Sequence, residues 1–210
     1  MLFALKRLLI LFVIVLAVYC LWPRSSSLSA RNPERIAQLQ VTVWKDAARK
    51  KRQELILPLY ETYEGQYRIP PVSSLMMAFD TARALYIFHT APDAADQEKA
   101  LIPLMTVFTR LRSATKSTFD VNAAAHLELM IWSLRAEHAK RGELTSAWSD
   151  LIALLYGCPA ADALPSAKKF AQAAKLADEG KWDEARSTSA EAWTAVNALA
   201  PQKPSGAVNK

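Results

Sequence analysis

The sequence predicts an all-α protein, in which a single N-terminal transmembrane helix precedes an α-hairpin domain of about seven helices. Three observations predict this class. The chain opens with an apolar run, apolar residues then recur at helical spacing, and no alternating strand pattern is present. Its 210 residues, 51% hydrophobic and 22% charged, are enough for one domain with its own core.

The first predicted element is the membrane anchor, residues 1–22. Its centre is the run 8–22, LLILFVIVLAVYCLW, which contains fifteen residues and no charge. As a helix this run is about 22 Å long, against about 30 Å for a hydrocarbon core, and snorkelling by Lys6 and Arg7 lets the preceding residues contribute. The alternative is a cleaved signal peptide, for which the best cleavage position precedes Ala30.

Basic residues are concentrated near the predicted anchor. Residues 1–56 contain ten Lys and Arg and three acids, whereas the whole chain has a net charge of +6. This distribution favours anionic membrane lipid as a partner over nucleic acid. Lys6 and Arg7 favour a cytoplasmic N-terminus, which predicts a single-pass protein of the cell (inner) membrane with its domain on the non-cytoplasmic side. The arginines that follow the uncharged run leave the opposite orientation open, in which the domain lies on the cytoplasmic side.

Two segments connect the anchor to the domain. Residues 23–32, PRSSSLSARN, are rich in serine and are expected to form a flexible tether. Asn32 and Pro33 are residue types that begin helices, so 33–57 is predicted to be a basic juxtamembrane helix that ends before Pro58. We expect its basic cluster to contact the membrane surface. The cluster consists of Arg49, Lys50, Lys51 and Arg52.

Residues 58–200 are predicted to form the helical-hairpin domain, and 201–210 a disordered tail. Three tyrosines at helical spacing, Tyr60, Tyr63 and Tyr67, form a possible partner-binding stripe, although such a stripe also suits core packing. Pro103 is expected to kink the helix that begins near Asp93. The remaining predicted helices are 74–90, 120–141, 145–157, 165–179 and 182–201, the last with a seven-residue repeat of Ala185, Ser189, Ala192, Val196 and Leu199.

One motif occurs twice, at an offset of 38 residues. GELTSA from Gly142 and GKWDEA from Gly180 share a glycine, a bulky apolar residue and an alanine at the same relative places. Each glycine is expected to adopt a left-handed conformation between two antiparallel helices. The motif resembles the inter-helix turn of tetratricopeptide repeats, and Pro159 stands where such repeats often close. The resemblance implies stacked hairpins whose concave surface binds peptides; an irregular helical bundle is the alternative.

A polar group also occurs on one helix face. Glu128, Trp132 and Arg135 follow one another at i, i+4 and i+7, which suits either a polar binding site or a buried ion pair braced by the indole. The histidines lack the spacing of metal ligands, and no catalytic or dinucleotide-binding motif is present. We therefore expect no cofactor and no enzymatic activity. An all-α catalytic cleft containing Glu128, Arg135 or His126 is the alternative.

Together these features predict a membrane-anchored helical scaffold or adaptor that binds a partner protein near the bilayer. Its basic segment would contact anionic lipid, and no nucleic-acid partner is expected. Two other functions remain open: a membrane-bound enzyme, and a structural subunit of a larger membrane complex.

Overall fold

The computed structural model describes residues 6–8, 11, 25–138 and 140–199. These residues are helical and contain no β-strand, which confirms the all-α prediction for the described chain. Most of the predicted anchor, 1–22, and the whole predicted tail, 201–210, lie outside it. No helix that the structure describes is long and apolar enough to cross a membrane.

Nine α-helices, rather than about seven, occur in the described part of the domain. A π-helical turn, Thr62–Gln66, extends the second helix, and a 3₁₀ turn, Glu98–Ala100, precedes the fifth. The helices are α1 (Pro33–Ala48), α2 (Arg52–Glu61), α3 (Pro71–Thr90), α4 (Ala94–Gln97), α5 (Leu101–Thr115), α6 (Val121–Ala136), α7 (Arg141–Tyr156), α8 (Ala160–Asp178) and α9 (Trp182–Leu199).

The predicted helix 33–57 is wrong, because the chain turns in the middle of it. Asn32 caps α1 as expected, and its Oδ1 accepts a hydrogen bond from the backbone N–H of Arg35 at 3.0 Å. The helix ends at Ala48, and Lys50 has a left-handed φ of 58°. The basic cluster therefore forms a corner between α1 and α2, and it is not one face of a helix.

Three helices contain prolines for which the sequence predicts a helix end, a kink or a helix start. Pro58 does not stop α2, Pro103 lies in the first turn of α5, and Pro165 follows the start of α8. In each case the carbonyl four residues earlier, which a proline cannot bond, belongs to an exposed residue that water can reach. These residues are Glu54, Lys99 and Ala161.

Successive long helices pack as antiparallel neighbours, and the last returns to the first. Arg35 on α1 forms a paired salt bridge with Glu61 on α2, with N···O distances of 2.5 and 2.6 Å. Ser149 on α7 donates to the backbone carbonyl of Ala160 at the start of α8, at 2.7 Å. Helix α9 packs against α8 on one side and α1 on the other. The helices therefore form a closed arrangement around one core.

The contact between α9 and α1 uses the seven-residue repeat that the sequence predicts. Four of its residues, Ala185, Ser189, Ala192 and Val196, are buried, whereas Leu199 is half-buried. The small size of the four buried residues lets the two helices approach closely. The side-chain oxygen of Gln40 on α1 accepts hydrogen bonds from Ser189 Oγ at 2.6 Å and Trp193 Nε1 at 3.0 Å. Closure thus combines apolar packing with a satisfied polar group.

Within the segment 23–32, residues 25–32 are fixed to the domain, whereas the sequence predicts a flexible tether. Ser26 Oγ donates to the carbonyl of Arg68, and the Ser27 N–H donates to that of Tyr67, both at 3.0 Å. The Tyr156 hydroxyl donates to the carbonyl of Leu28 at 2.7 Å. Backbone hydrogen bonding, which serine content does not reveal, keeps this segment on the surface of the domain.

The two glycine junctions differ, although their sequences are similar. Gly180 has a φ of 78°, as predicted for a left-handed residue between helices. Gly142 is instead the second residue of α7, and the left-handed residue at this junction is His138, with a φ of 50°. Because α6 ends at Ala136, the turn occurs before the glycine. Only one of the two glycines has the predicted role.

Alanine substitutions at these two glycines should change the free energy of unfolding in opposite directions. Neither position has a heavy atom within 4 Å of an added Cβ, so backbone conformation alone distinguishes them. Gly180→Ala should lower the free energy of unfolding by about 1 to 2 kcal/mol, because alanine disfavours the left-handed region. Gly142→Ala should raise it by about 0.4 to 1 kcal/mol, because the helix accepts alanine. Urea unfolding followed by circular dichroism measures both, and shifts of the same sign would contradict this assignment.

Candidate binding pocket

A pocket of about 470 Å³ lies where four helices end. The last turns of α1, α3, α6 and α8 converge there, together with the start of α9. Helix C-termini carry partial negative charge, which stabilises the positive charge of Arg135 at this end of the domain. The larger side chains of the wall are Trp44, Phe88, His89, Trp132, Arg135 and Trp182.

Arg135 and Asp178 are charged residues of this wall. Its guanidinium lies 4.2 Å from the ring centre of Trp44, and its Nη2 donates to Asp178 Oδ1 at 3.0 Å. The Nε atom is buried and has no hydrogen-bond partner among the described residues. Arg110 Nε and Trp148 Nε1 have the same status among the described residues, but the Arg135 side chain is 16% exposed, so a ligand in the pocket could offer its guanidinium an acceptor.

Burial lowers the pKa of Arg135, whereas the charge and hydrogen bond of Asp178 and the charge of Glu128 act in the opposite direction. A guanidinium nevertheless keeps its proton in a protein. The Arg135 side chain therefore keeps its positive charge, which lies between the Trp44 indole and the Asp178 carboxylate.

Glu128 and Trp132, predicted with Arg135 as one group, are joined by a hydrogen bond. Trp132 Nε1 donates to Glu128 Oε1 at 2.8 Å. Burial raises the pKa of Glu128 to about 7, although the Trp132 hydrogen bond and the Arg135 charge lower it. Trp132 and Arg135 line the pocket, whereas Glu128 does not. The predicted group is thus a pocket wall with a buried carboxyl behind it.

The tyrosine stripe, predicted as a possible binding surface, lies largely in the core. Tyr63 is only 8% exposed, and its hydroxyl shares a hydrogen bond with Thr81 Oγ1 at 2.8 Å. Tyr67 is half-buried, with its ring centre 6.4 Å from that of Trp193. Tyr60 is half-buried and packs against the same core. None of the three lines the pocket, so the packing alternative describes this stripe better.

All four residues of the basic cluster are exposed. Lys51 pairs with Glu54 at 2.7 Å, and the Arg52 guanidinium lies 5.9 Å from the ring centre of Tyr86. The 16 residues of α1, which span about 24 Å, separate this corner from the segment by which the N-terminal chain enters the domain. The cluster lies at the same end of the domain as the pocket.

Sequence reasoning missed most of the aromatic wall. Trp44 and Trp182 are 138 positions apart, and only the closure of α9 on α1 brings them to one pocket. His89 has the sequence context of a capping or surface residue, yet it is half-buried, and burial together with the Arg135 and Lys50 charges lowers its pKa. The sequence shows that the chain has six tryptophans, but it does not show which of them lie together in the folded protein.

Residues proposed for the alternative enzymatic cleft do not converge. His126 is exposed, and its Nδ1 lies 2.9 Å from the carbonyl oxygen of Asn122, on a different face of α6 from Glu128. In the part of the chain that the structure describes, no group of three His, Cys, Asp or Glu could hold a metal ion.

The chain matches no protein-family model, no curated protein and no solved structure. The resemblance to tetratricopeptide repeats therefore depends on the two glycine junctions, of which only Gly180 has the expected backbone conformation. Any functional interpretation has to come from the geometry of the chain's own residues.

The raised pKa of Glu128 predicts a pH-dependent stability. The unfolded carboxyl has a pKa near 4.5 and the folded one titrates at about 7, so the free energy of unfolding should fall as pH rises between these values. Glu128→Gln keeps an acceptor for Trp132 but cannot ionise. The variant should be more stable than the wild type at a pH of about 8, and this difference should disappear at a pH of about 4.

Urea unfolding at several pH values tests this, with Glu137→Gln, at an exposed carboxylate just beyond α6, as the control variant. A stability difference between Glu128→Gln and the wild type that stays constant across this range would contradict the assignment.

Proposed function

We propose that the protein is a membrane-anchored helical adaptor, which binds a carboxylate-bearing segment of a partner protein in the pocket around Arg135. The observation that carries this proposal is the partly exposed Arg135 guanidinium in the wall of an aromatic pocket, whose buried Nε has no hydrogen-bond partner within the described part of the chain. A carboxylate is the acceptor best matched to a guanidinium, because the two form charge-assisted hydrogen bonds.

The composition of the wall supports a protein segment as the ligand. Tryptophan and arginine are the residue types that dominate binding energy at protein interfaces, and both occur in this wall. The exposed basic cluster lies at the same end of the domain, so an acidic segment would be attracted electrostatically before it docks. We expect the bound segment to combine one carboxylate with adjacent apolar or aromatic side chains.

The anchor and the hairpin architecture remain part of the proposal. The uncharged run 8–22 supports a single transmembrane helix, and Lys6-Arg7 supports a domain on the non-cytoplasmic side. Packing of α9 against α1 favours an irregular helical bundle over an open stack of tetratricopeptide-like hairpins. A membrane anchor would raise the effective concentration of a bound partner near the bilayer.

Peptide selection tests the pocket directly. Random peptides displayed on phage would be selected against the full chain in detergent, and the enriched peptides should share an acidic residue beside apolar ones. Arg135→Met should weaken their binding by about tenfold to a hundredfold, the effect of losing hydrogen bonds to a charged group. Fluorescence anisotropy with a labelled selected peptide measures this change.

Two further variants make this result specific. Arg186→Met removes an exposed arginine of α9, which pairs with Asp183 at 3.0 Å, and should leave binding unchanged. Arg135→Lys keeps the charge without the planar fork and should bind at an intermediate level. Selected peptides without an acidic preference, or equal binding by all the variants, would refute the proposed pocket.

A further inference from the structure

A second surface, separate from the pocket, is formed by the outer side of α3. Five large apolar residues of this helix are between 41% and 53% exposed. Their spacing places them along one side of the helix, where a water-facing helix normally carries polar residues. They are Val72, Leu75, Met76, Phe79 and Tyr86.

The neighbouring helices widen this surface. Helix α5 packs beside α3, and Arg110 Nη1 of α5 lies 3.0 Å from Met76 Sδ of α3. Helix α5 exposes Ile102 and Met105. Helix α2 also packs against α3 and exposes Leu57. We call these eight residues the apolar face. Of the large apolar residues exposed within 25–138 and 140–199, only Met130 and Leu164 lie outside it. Exposed apolar surface concentrated in this way indicates a binding surface.

The N-terminal chain enters the domain beside one end of the apolar face. Ser26 and Ser27 are hydrogen-bonded to the backbone of Arg68 and Tyr67, just before α3 begins at Pro71. The uncharged run ends at Trp22, so at most about 14 Å of extended chain separates it from Ser26. A membrane that held this run would therefore hold the start of α3 close to its surface.

The basic cluster stands at the opposite end of the same face. Arg52 lies 5.9 Å from the ring of Tyr86, in the last part of α3, and Arg83 is exposed between them and the centre of the face. The acid nearest the centre, Asp80, is paired with Arg110 at 3.7 Å. An apolar surface with a basic rim is typical of proteins that bind in the interface of an anionic bilayer.

We propose that the apolar face contacts an anionic lipid bilayer, with α3 parallel to the membrane plane. The 20 residues of α3 are about 30 Å long, so the entry point of the N-terminal chain and the basic cluster would both reach the headgroups. The pocket, at the end of the helices, would then open along the bilayer. This inference rests on the proposed membrane anchor and is independent of the ligand of the pocket.

Nitroxide accessibility of the full chain tests the proposal. Phe79→Cys places a label on the apolar face, and Leu164→Cys, at a 37% exposed leucine of α8, is the matched control. Both variants need Cys20→Ala and Cys158→Ala as background. In vesicles of phosphatidylcholine and phosphatidylglycerol, the label at 79 should be relaxed more by oxygen, which is concentrated in lipid, than by a water-soluble nickel chelate. The label at 164 should show the reverse.

Each other outcome overturns the proposal in a recognisable way. If the chain floats with the vesicles but both labels respond mainly to nickel, the anchor stands and the apolar face does not contact lipid. A label at 79 shielded from both reagents would mean that protein covers the face, and spin–spin broadening would identify a second copy. A chain that does not float with the vesicles would refute both the anchor and the face, whatever the pocket binds.

Discussion

The packing of the last helix on the first is the constraint on which the rest of the structure depends. Four small or β-branched side chains of α9 let it approach α1, and Gln40 fixes the contact by accepting hydrogen bonds from Ser189 and Trp193. This closure brings Trp44 of α1 to the same site as Asp178 and Trp182, which lie at the far end of the chain. Without it, Arg135 would lose the indole on which it stacks.

The packing of α9 on α1 also explains how the pocket end of the domain accommodates the ionisable side chains of Arg135 and Glu128. Arg135 is buried at the converging ends of four helices, where partial negative charge and Asp178 offset its desolvation. Glu128 lies outside the pocket wall and accepts a hydrogen bond from the Trp132 indole, and burial raises its pKa to about 7. In the proposed function Arg135 binds the ligand, whereas Glu128 is expected to make the stability of the fold depend on pH.

Local features of the sequence predicted local features of the structure. The cap at Asn32, the turn at Gly180 and the buried repeat of α9 depend on neighbouring residues, and all three were predicted. The aromatic wall was not predictable, because Trp44 and Trp182 meet through tertiary packing alone. The corner at the basic cluster was missed for a related reason: no glycine or proline marks it, and tertiary packing determines where α1 ends.

Native-state hydrogen exchange of the full chain tests the closed arrangement most directly. If α9 completes the core with α1, amides of the two helices should share one opening free energy. Gln40→Leu should lower the protection of both, because it removes the acceptor of the buried Ser189 hydroxyl and of the half-buried Trp193 N–H. An open array of hairpins predicts a different result. In that case α9 would exchange faster than α1, and the Gln40 substitution would leave the protection of α9 unchanged.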